Sequence, residues 1–410
     1  MDLGEIFNAW EQRKLGDVSN YIKGFAFKSK DYKKDGVRII QVSDLTKDKI
    51  KCSNTNIFVS LELAELNKKY RINKNEIIIT TVGSKAEIKE SAVGRPIIVA
   101  EEGHFLLNQN LVKLTSLQGF DNYFIYSQLL QPRYINYIAA IERGNANQAN
   151  IAIIDLWQYT FLVPKKLEQQ KISMFFKQLD NTIALHQRKL EALKLMKKGF
   201  LQQIFPKKGE KVPRLRFADF PDEWEQCIVS DFTDKTYGGG TPKTNIPEYW
   251  TGEIPWIQSS DLIKDDFFNV APKKHITEDA IRNSSTKLVP SNSITVVTRV
   301  GVGKLAFMPF EYATSQDFLS LSNLKVSLIF GVYSLYNMLQ KELNNIQGTS
   351  IKGITKSDLL EKSITIPVEV EEQKKIGFLF KQLDDIILFH KNKLNQFQAL
   401  KKAYLQNMFI

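Results

Sequence analysis

Along residues 168–205, apolar side chains return at alternating steps of four and three: Ile172, Phe176, Leu179, Ile183, Leu190, Leu193, Phe200 and Ile204. His186 and Lys197 fill the remaining places in the same stripe. Residues 372–409 carry it again, through Ile376, Phe380, Leu383, Ile387, His390, Leu394, Phe397, Lys401, Tyr404 and Met408. Two long helices are predicted, and a seam held at these steps favours a coiled coil over an ordinary amphipathic surface helix. Pro164 and Pro367 stand just before them, where a fixed φ suits an abrupt helix start.

The rest of the chain follows shorter periods. Residues 76–82, 95–100, 293–298 and 319–326 are rich in β-branched side chains and bounded by turn formers, so they read as strands. Residues 120–138 and 332–344 read as helices, and 206–221, with Lys, Gly and three prolines, as an exposed linker. The globular parts are therefore mixed α and β.

Self-similarity organises these pieces. Residues 168–205 realign with 372–409 without a gap, and roughly half of the ~38 positions are identical. Glu168-Gln169 matches Glu372-Gln373, Lys177-Gln178-Leu179-Asp180 matches Lys381-Gln382-Leu383-Asp384, and Leu201-Gln202 matches Leu405-Gln406. Between the helices, Trp10-Glu11-Gln12 matches Trp224-Glu225-Gln226, and Ile40-Gln41-Val42-Ser43-Asp44-Leu45 matches Ile257-Gln258-Ser259-Ser260-Asp261-Leu262. Fainter echoes pair Val82-Gly83 with Val300-Gly301, Gln109 with Gln316, and Asp155-Leu156 with Asp358-Leu359. The order is domain 1–163, helix 164–207, domain 208–366, helix 367–410.

That connectivity is satisfied with least chain if the helices pack antiparallel, with a globular domain at each end and a pseudo-twofold axis between. At ~38 residues and 1.5 Å per residue each helix spans at most ~57 Å, and half-sites one DNA turn apart lie about 34 Å from centre to centre. His186 and His390 fall near the midpoints of their helices, so full antiparallel overlap brings them together. They either form a polar layer that fixes helix register or cap the seam at a solvated edge.

Composition narrows the function. The 410 residues suit two domains, and 43% hydrophobic with 25% charged residues is the balance of a folded chain. No apolar stretch is long enough to span a bilayer, and the N-terminus lacks a signal-peptide pattern, so no membrane association and a cytoplasmic location are expected. Cys52 and Cys227 lie in different halves and the four histidines show no zinc-like spacing, so neither a disulfide nor a metal is expected. The net charge of +11 is spread along the chain. It suits a polyanion such as double-stranded DNA, whose condensed counterions are released on binding, although base composition alone also produces basic chains.

Phosphate contacts position a DNA reader and base contacts specify, which directs attention to Lys and Arg beside small polar and amide side chains in loops. In domain one these are Arg38, Gln41, Ser43, Lys85, Arg143, Asn145, Asn147 and Gln148. In domain two they are Gln258, Ser259, Ser260, Arg299, Lys304, Thr349, Ser350 and Lys352. Residues 238–241 are either a DNA-facing loop or a turn that needs positive φ.

Two non-identical domains alternating with two matched helices, each with Pro and Glu-Gln near its start and Leu-Gln and Phe near its end, resemble type I restriction-modification specificity subunits. Gly238-Gly239-Gly240-Thr241-Pro242, then Tyr249-Trp250-Thr251-Gly252 and Ile254-Pro255-Trp256, are similar to the opening of their target-recognition domains. Domain one departs from this, with Tyr21-Ile22-Lys23-Gly24-Phe25 in the corresponding place, as two domains reading different sequences would. The resemblance covers nearly the whole chain. It implies an α+β fold with two target-recognition domains separated by an antiparallel coiled coil. It also implies a bipartite target, two adenine-methyltransferase subunits, and ATP-driven translocating restriction subunits. S-adenosylmethionine, ATP and Mg²⁺ would belong to those partners, with no cofactor in this chain.

An enzyme needs chemistry that the chain does not show: there is no Asn-Pro-Pro-Tyr or Asp-Pro-Pro-Tyr pocket, and Gly301-Val302-Gly303-Lys304 lacks phosphate-loop spacing. The remaining rival is a coiled-coil scaffold or interaction protein whose basic charge is incidental.

Overall fold

Runs that are apolar at every position, not at alternate ones, mark the strands covered on both faces. In the computed structural model, which describes residues 10–46, 49–51, 56–85, 93–100, 102–145, 148–207, 209–345 and 353–409, the run Ile77–Thr80 shows why. Ile77 and Ile79 pack with Val112, Leu114 and Phe124 on one side, and Ile78 with Ile40, Ile97 and Leu107 on the other. Successive side chains point to opposite faces, so burial of both faces removes the polar alternation.

The chain divides into two compact units, Met1–His186 with Lys393–Ile410, and Gln187–Asn392. In unit one, Ile77–Thr80 belongs to an antiparallel sheet ordered Ser19–Lys23, Leu111–Ser116, Ile77–Thr80, Pro96–Ile98. A second sheet runs Phe58–Val59, Val37–Ile40, Phe105–Leu107, Arg71–Ile72, its middle pair parallel. A third joins Arg143–Asn145, Gln148–Asn150 and Val82–Gly83. Unit two repeats the first sheet as Thr233–Gly238, Phe318–Leu324, Ser293–Val297, Leu305–Met308. Beside it lies a smaller sheet, Lys274–Ile276, Ile254–Ile257, Ala313–Thr314.

The single helix expected over 120–138 is two, Asn122–Leu129 and Pro132–Ile141. Pro132 cannot donate to the preceding turn and pushes Gln131 out of the helical region, so the chain restarts there with proline at the head of the new helix. The helix expected over 332–344 is longer, Leu328–Asn345.

The long helices are Lys166–Ile204 and Val370–Asn407, and in each unit a stretch of one lies antiparallel to a stretch of the other. In unit one Phe176 stacks on Phe409 with centroids 5.7 Å apart, Asp180 meets Lys401 at 2.5 Å, and His186 faces Phe397 at 5.5 Å. In unit two Phe205 stacks on Phe380 at 5.9 Å and Lys197 meets Asp384 at 2.5 Å. The seam is buried at Ile172, Phe176, Leu179 and Ile183, and at Ile376, Phe380 and Leu383, whereas Tyr404 is exposed.

The repeated residues have the same duties in both units. Gln169 accepts from the Asp121 amide at 3.1 Å and donates to the Pro164 carbonyl at 2.8 Å; Gln373 accepts from Ser327 at 2.8 Å and donates to Pro367 at 2.9 Å. Only a neutral amide offers both functions, which accounts for Gln over Glu. The Tyr123 hydroxyl donates to Asp180 at 2.5 Å, and Tyr333 to Asp384 at 2.6 Å. Burial and the adjoining carboxylate push both phenols well above the usual tyrosine range.

The segment 206–221 is more than an exposed linker. Pro206, Pro213 and Phe220 are buried in unit two, and Arg216 reaches Glu372 through two nitrogens, each at 2.8 Å.

Candidate nucleic-acid interface

In both units the Gln-x-Ser-Asp segment forms one kind of turn. A buried aspartate closes it by accepting from the glutamine amide, Gln41 N to Asp44 at 2.9 Å and Gln258 N to Asp261 at 2.9 Å. This holds Ser43 and Ser260 exposed and leaves Gln41, Gln258 and Ser259 half-buried at the surface. Behind each turn runs the same backbone ladder. The Asn108 amide donates to Ile40 O and the Ser315 amide to Ile257 O; Thr81 donates to Asn110 O and Thr298 to Asp317 O; Ile151 donates to Thr81 O and Ile354 to Thr298 O.

This ladder sets the true correspondence between the units. Val82 takes the place of Arg299, one residue off the Val82 to Val300 pairing read from sequence, and Lys85 falls in a longer connection with no equivalent in unit two. Pro96 pairs with Ile79 as Leu305 pairs with Val296, so the counterpart of Lys304 is Arg95, which sequence reasoning missed. Lys304 Nζ donates to Ser259 O and Leu262 O, both at 2.9 Å, and Arg95 Nη1 donates to Thr46 O at 3.4 Å. Each basic side chain ties its strand to the Gln-x-Ser-Asp turn. The signal available in the sequence was a lone basic residue directly before an apolar strand.

The ladder also gathers candidates that are distant in sequence. Val82–Gly83, two residues before Lys85 in the chain, pairs with Ala149 and Asn150 of the hairpin carrying Arg143, Asn145 and Gln148. Arg143 is exposed and pairs with Asp155 at 2.8 Å, and Asn145 accepts from the Gln148 amide at 3.0 Å. Arg38 donates to Asn56 at 3.1 Å with its guanidinium 4.8 Å from the Phe58 ring centroid. In unit two Arg299 is exposed, and Gly301 lies close enough to Ser259 that a Cβ there would be 3.7 Å from it. Asn147, Thr349, Ser350 and Lys352 lie outside the described residues.

The glycine run needs space and not an unusual φ. A Cβ on Gly239 would lie 1.8 Å from Ser315 O, and none of Gly238, Gly239 and Gly240 has positive φ. Gly24 meets the same restriction, 1.9 Å from Asn108 O, so unit one keeps the essential glycine without the rest of the run. Beyond it, Thr241 and Gln316 meet at 2.6 Å on the exposed surface, while Trp256 is buried and donates to Gly240 O at 3.0 Å.

Among the described residues no cluster of His, Cys, Asp or Glu is arranged to hold a metal, and no helix is long and apolar enough to cross a membrane. The family model for the type I restriction modification DNA specificity domain matches twice, over residues 8–195 and 221–399. The chain belongs to this family. It is a type I DNA specificity subunit, a non-catalytic role, with one copy of the domain in each half. It is similar to the type I restriction enzyme MjaVIII specificity subunit of Methanocaldococcus jannaschii, 22% identical over 421 residues, covering 97% of this chain and 91% of that one. The MjaIX specificity subunit of the same organism is 30% identical over 197 residues, 46% of this chain and 44% of that one. The crystal structure of a type I S subunit from M. genitalium shares the fold, with a TM-score of 0.65 at 13% identity, covering 100% of this chain and 98% of that one.

Proposed function

We propose that the two domains, 1–163 and 208–366, each read one half of a bipartite double-stranded DNA target. The helices 164–207 and 367–410 set the spacing and dock two adenine-methyltransferase subunits. Restriction subunits that translocate DNA complete the assembly in the cytoplasm, and S-adenosylmethionine, ATP and Mg²⁺ act in the partners. His186 and His390 serve as helix-register residues.

The observation that carries this reading is one backbone frame used twice with different side chains on it. The same capped turn, the same ladder and the same close-packed glycine recur, while Arg38 and Val42 in unit one are replaced by Pro255 and Ser259 at the matching places in unit two. Such a frame supports two readers of different sequence, because hydrogen-bonding side chains and not the frame decide which base edges are matched. Methylome sequencing of a host carrying the gene beside its methyltransferase, compared with a deletion, tests the reading. A two-part methylated motif lost on deletion is expected, with footprints about one helical turn apart and weakening steeply with salt. An unchanged methylome and no DNA preference at moderate salt would leave a scaffold instead.

A further inference from the structure

In unit two Lys356 opens the helix Lys356–Leu360 and its ammonium comes down on the end of strand Thr233–Gly238. A Cβ on Gly238 would lie 2.6 Å from Lys356 Nζ, so the glycine makes room for the lysine. Exposed Arg299 adds a second cation to the same place. Burial lowers the lysine's affinity for its proton, Arg299 lowers it further, and Asp317 opposes them. Neither Arg299 nor Lys356 makes a hydrogen bond or ion pair among the described residues. Two cations brought together in this way repel, and a bound anion would relieve the repulsion.

Unit one builds the same place differently. Lys23 stands opposite Val112 on the strand just as Gly238 stands opposite Leu319. Counting from the paired amides of Ile151 and Ile354 puts Ile153 where unit two has Lys356. One lysine is therefore kept at this point in both units, carried by the strand in unit one and by the helix in unit two. A side chain kept only for packing would not need to stay cationic when its supporting element changes.

We propose that this place is a site for a DNA backbone phosphate in each unit, formed by Lys356 with Arg299 in unit two and by Lys23 in unit one. The proposal rests on the units being DNA readers and adds how each grips the duplex independently of sequence. A phosphate contact contributes equally to target and random DNA, and its loss removes about 0.9 from the slope of log affinity against log salt.

The test measures binding of the full chain to a random-sequence duplex and to a duplex bearing its methylated motif, across a salt series. Lys356→Ile is expected to weaken both on the order of fivefold and to flatten the slope by about 0.9. Adding Gly238→Lys to that variant installs the arrangement of unit one and should restore affinity and slope. Lys23→Ile, with Ile153→Lys as its rescue, should behave likewise. Unchanged binding in the single variants, a loss confined to the motif duplex, or no recovery in the double variants would each overturn the phosphate site while leaving DNA reading intact. Failure of the unaltered chain to bind either duplex would bring down the functional reading and this site together.

Discussion

In unit one Glu168 is exposed and accepts from Trp10 Nε1 at 3.2 Å; in unit two its counterpart Glu372 is buried, accepts from Trp224 Nε1 at 3.3 Å, and also takes both nitrogens of Arg216 at 2.8 Å. The tryptophan to glutamate contact belongs to the repeat, and the arginine arrives with the segment 206–221. A carboxylate can be withdrawn from water only when a matched cation follows it, and the forked guanidinium offers two parallel bonds to both oxygens. One repeated motif thus gives a solvated contact in one unit and a buried ion pair in the other.

The largest expected effect exploits that difference. Arg216→Ala leaves a charge with 1% side-chain exposure unpaired and should cost about 3–5 kcal/mol in urea unfolding of the full chain. Glu168→Ala removes one exposed hydrogen bond and should cost under about 1 kcal/mol. Equal losses would show that Glu372 is stabilised by something other than Arg216.

A smaller contrast separates the two lysine to aspartate pairs. Lys197 and Asp384 are 10% and 17% exposed, against 20% and 26% for Lys401 and Asp180. Lys197 also lies 4.8 Å from the Phe267 ring centroid and 5.3 Å from that of Tyr333. Lys197→Met should therefore cost about 2–3 kcal/mol and Lys401→Met about 1 kcal/mol. Acidity sharpens this contrast. Burial pushes the Asp384 carboxyl above its usual value, a rise that Lys197 and Tyr333 only partly oppose. The folded state then holds the proton more tightly than the unfolded state, so this residue's contribution is fullest below the unfolded value and is lost as pH rises through the folded one. Measured against Asp384→Asn, the unaltered chain should lose relative stability as pH rises from about 4. A gain over that range would mean that Lys197 outweighs burial.

Sequence made the repeat legible because its side chains do the same work twice: Gln169 and Gln373 bridge two backbone groups, and Asp180 and Asp384 join a tyrosine to the opposite helix. The long helices were legible because their burial follows a fixed step. The surface was less so. Arg95 and Lys304 are equivalent only through strand pairing, across connections of different length, and no linear alignment of identical letters joins an Arg to a Lys there. Lys23 and Lys356 were harder still, since one place is filled from two elements. The break before Pro132 was readable from proline chemistry and was obscured by the apolar run on either side.

The smallest effect concerns the turns on which reading is proposed to depend. Asp44 and Asp261 each accept one glutamine amide at 2.9 Å, but Asp261 Oδ1 has no hydrogen-bond partner among the described residues and Lys273 Nζ lies 3.8 Å from it. Asp261→Ala and Asp44→Ala should each cost about 1–2 kcal/mol, by freeing a backbone donor and loosening the serine beside it. Asp261→Asn keeps an oxygen for Gln258 and removes the charge, so it should recover most of the alanine loss if the cap is what matters. Methylation kinetics on the motif duplex read the same question locally: the two alanine variants should slow modification and the asparagine variant should not. An Asp261→Asn protein as impaired as Asp261→Ala would place the weight on attraction to Lys273, and the turns of the two units would then be held by different forces.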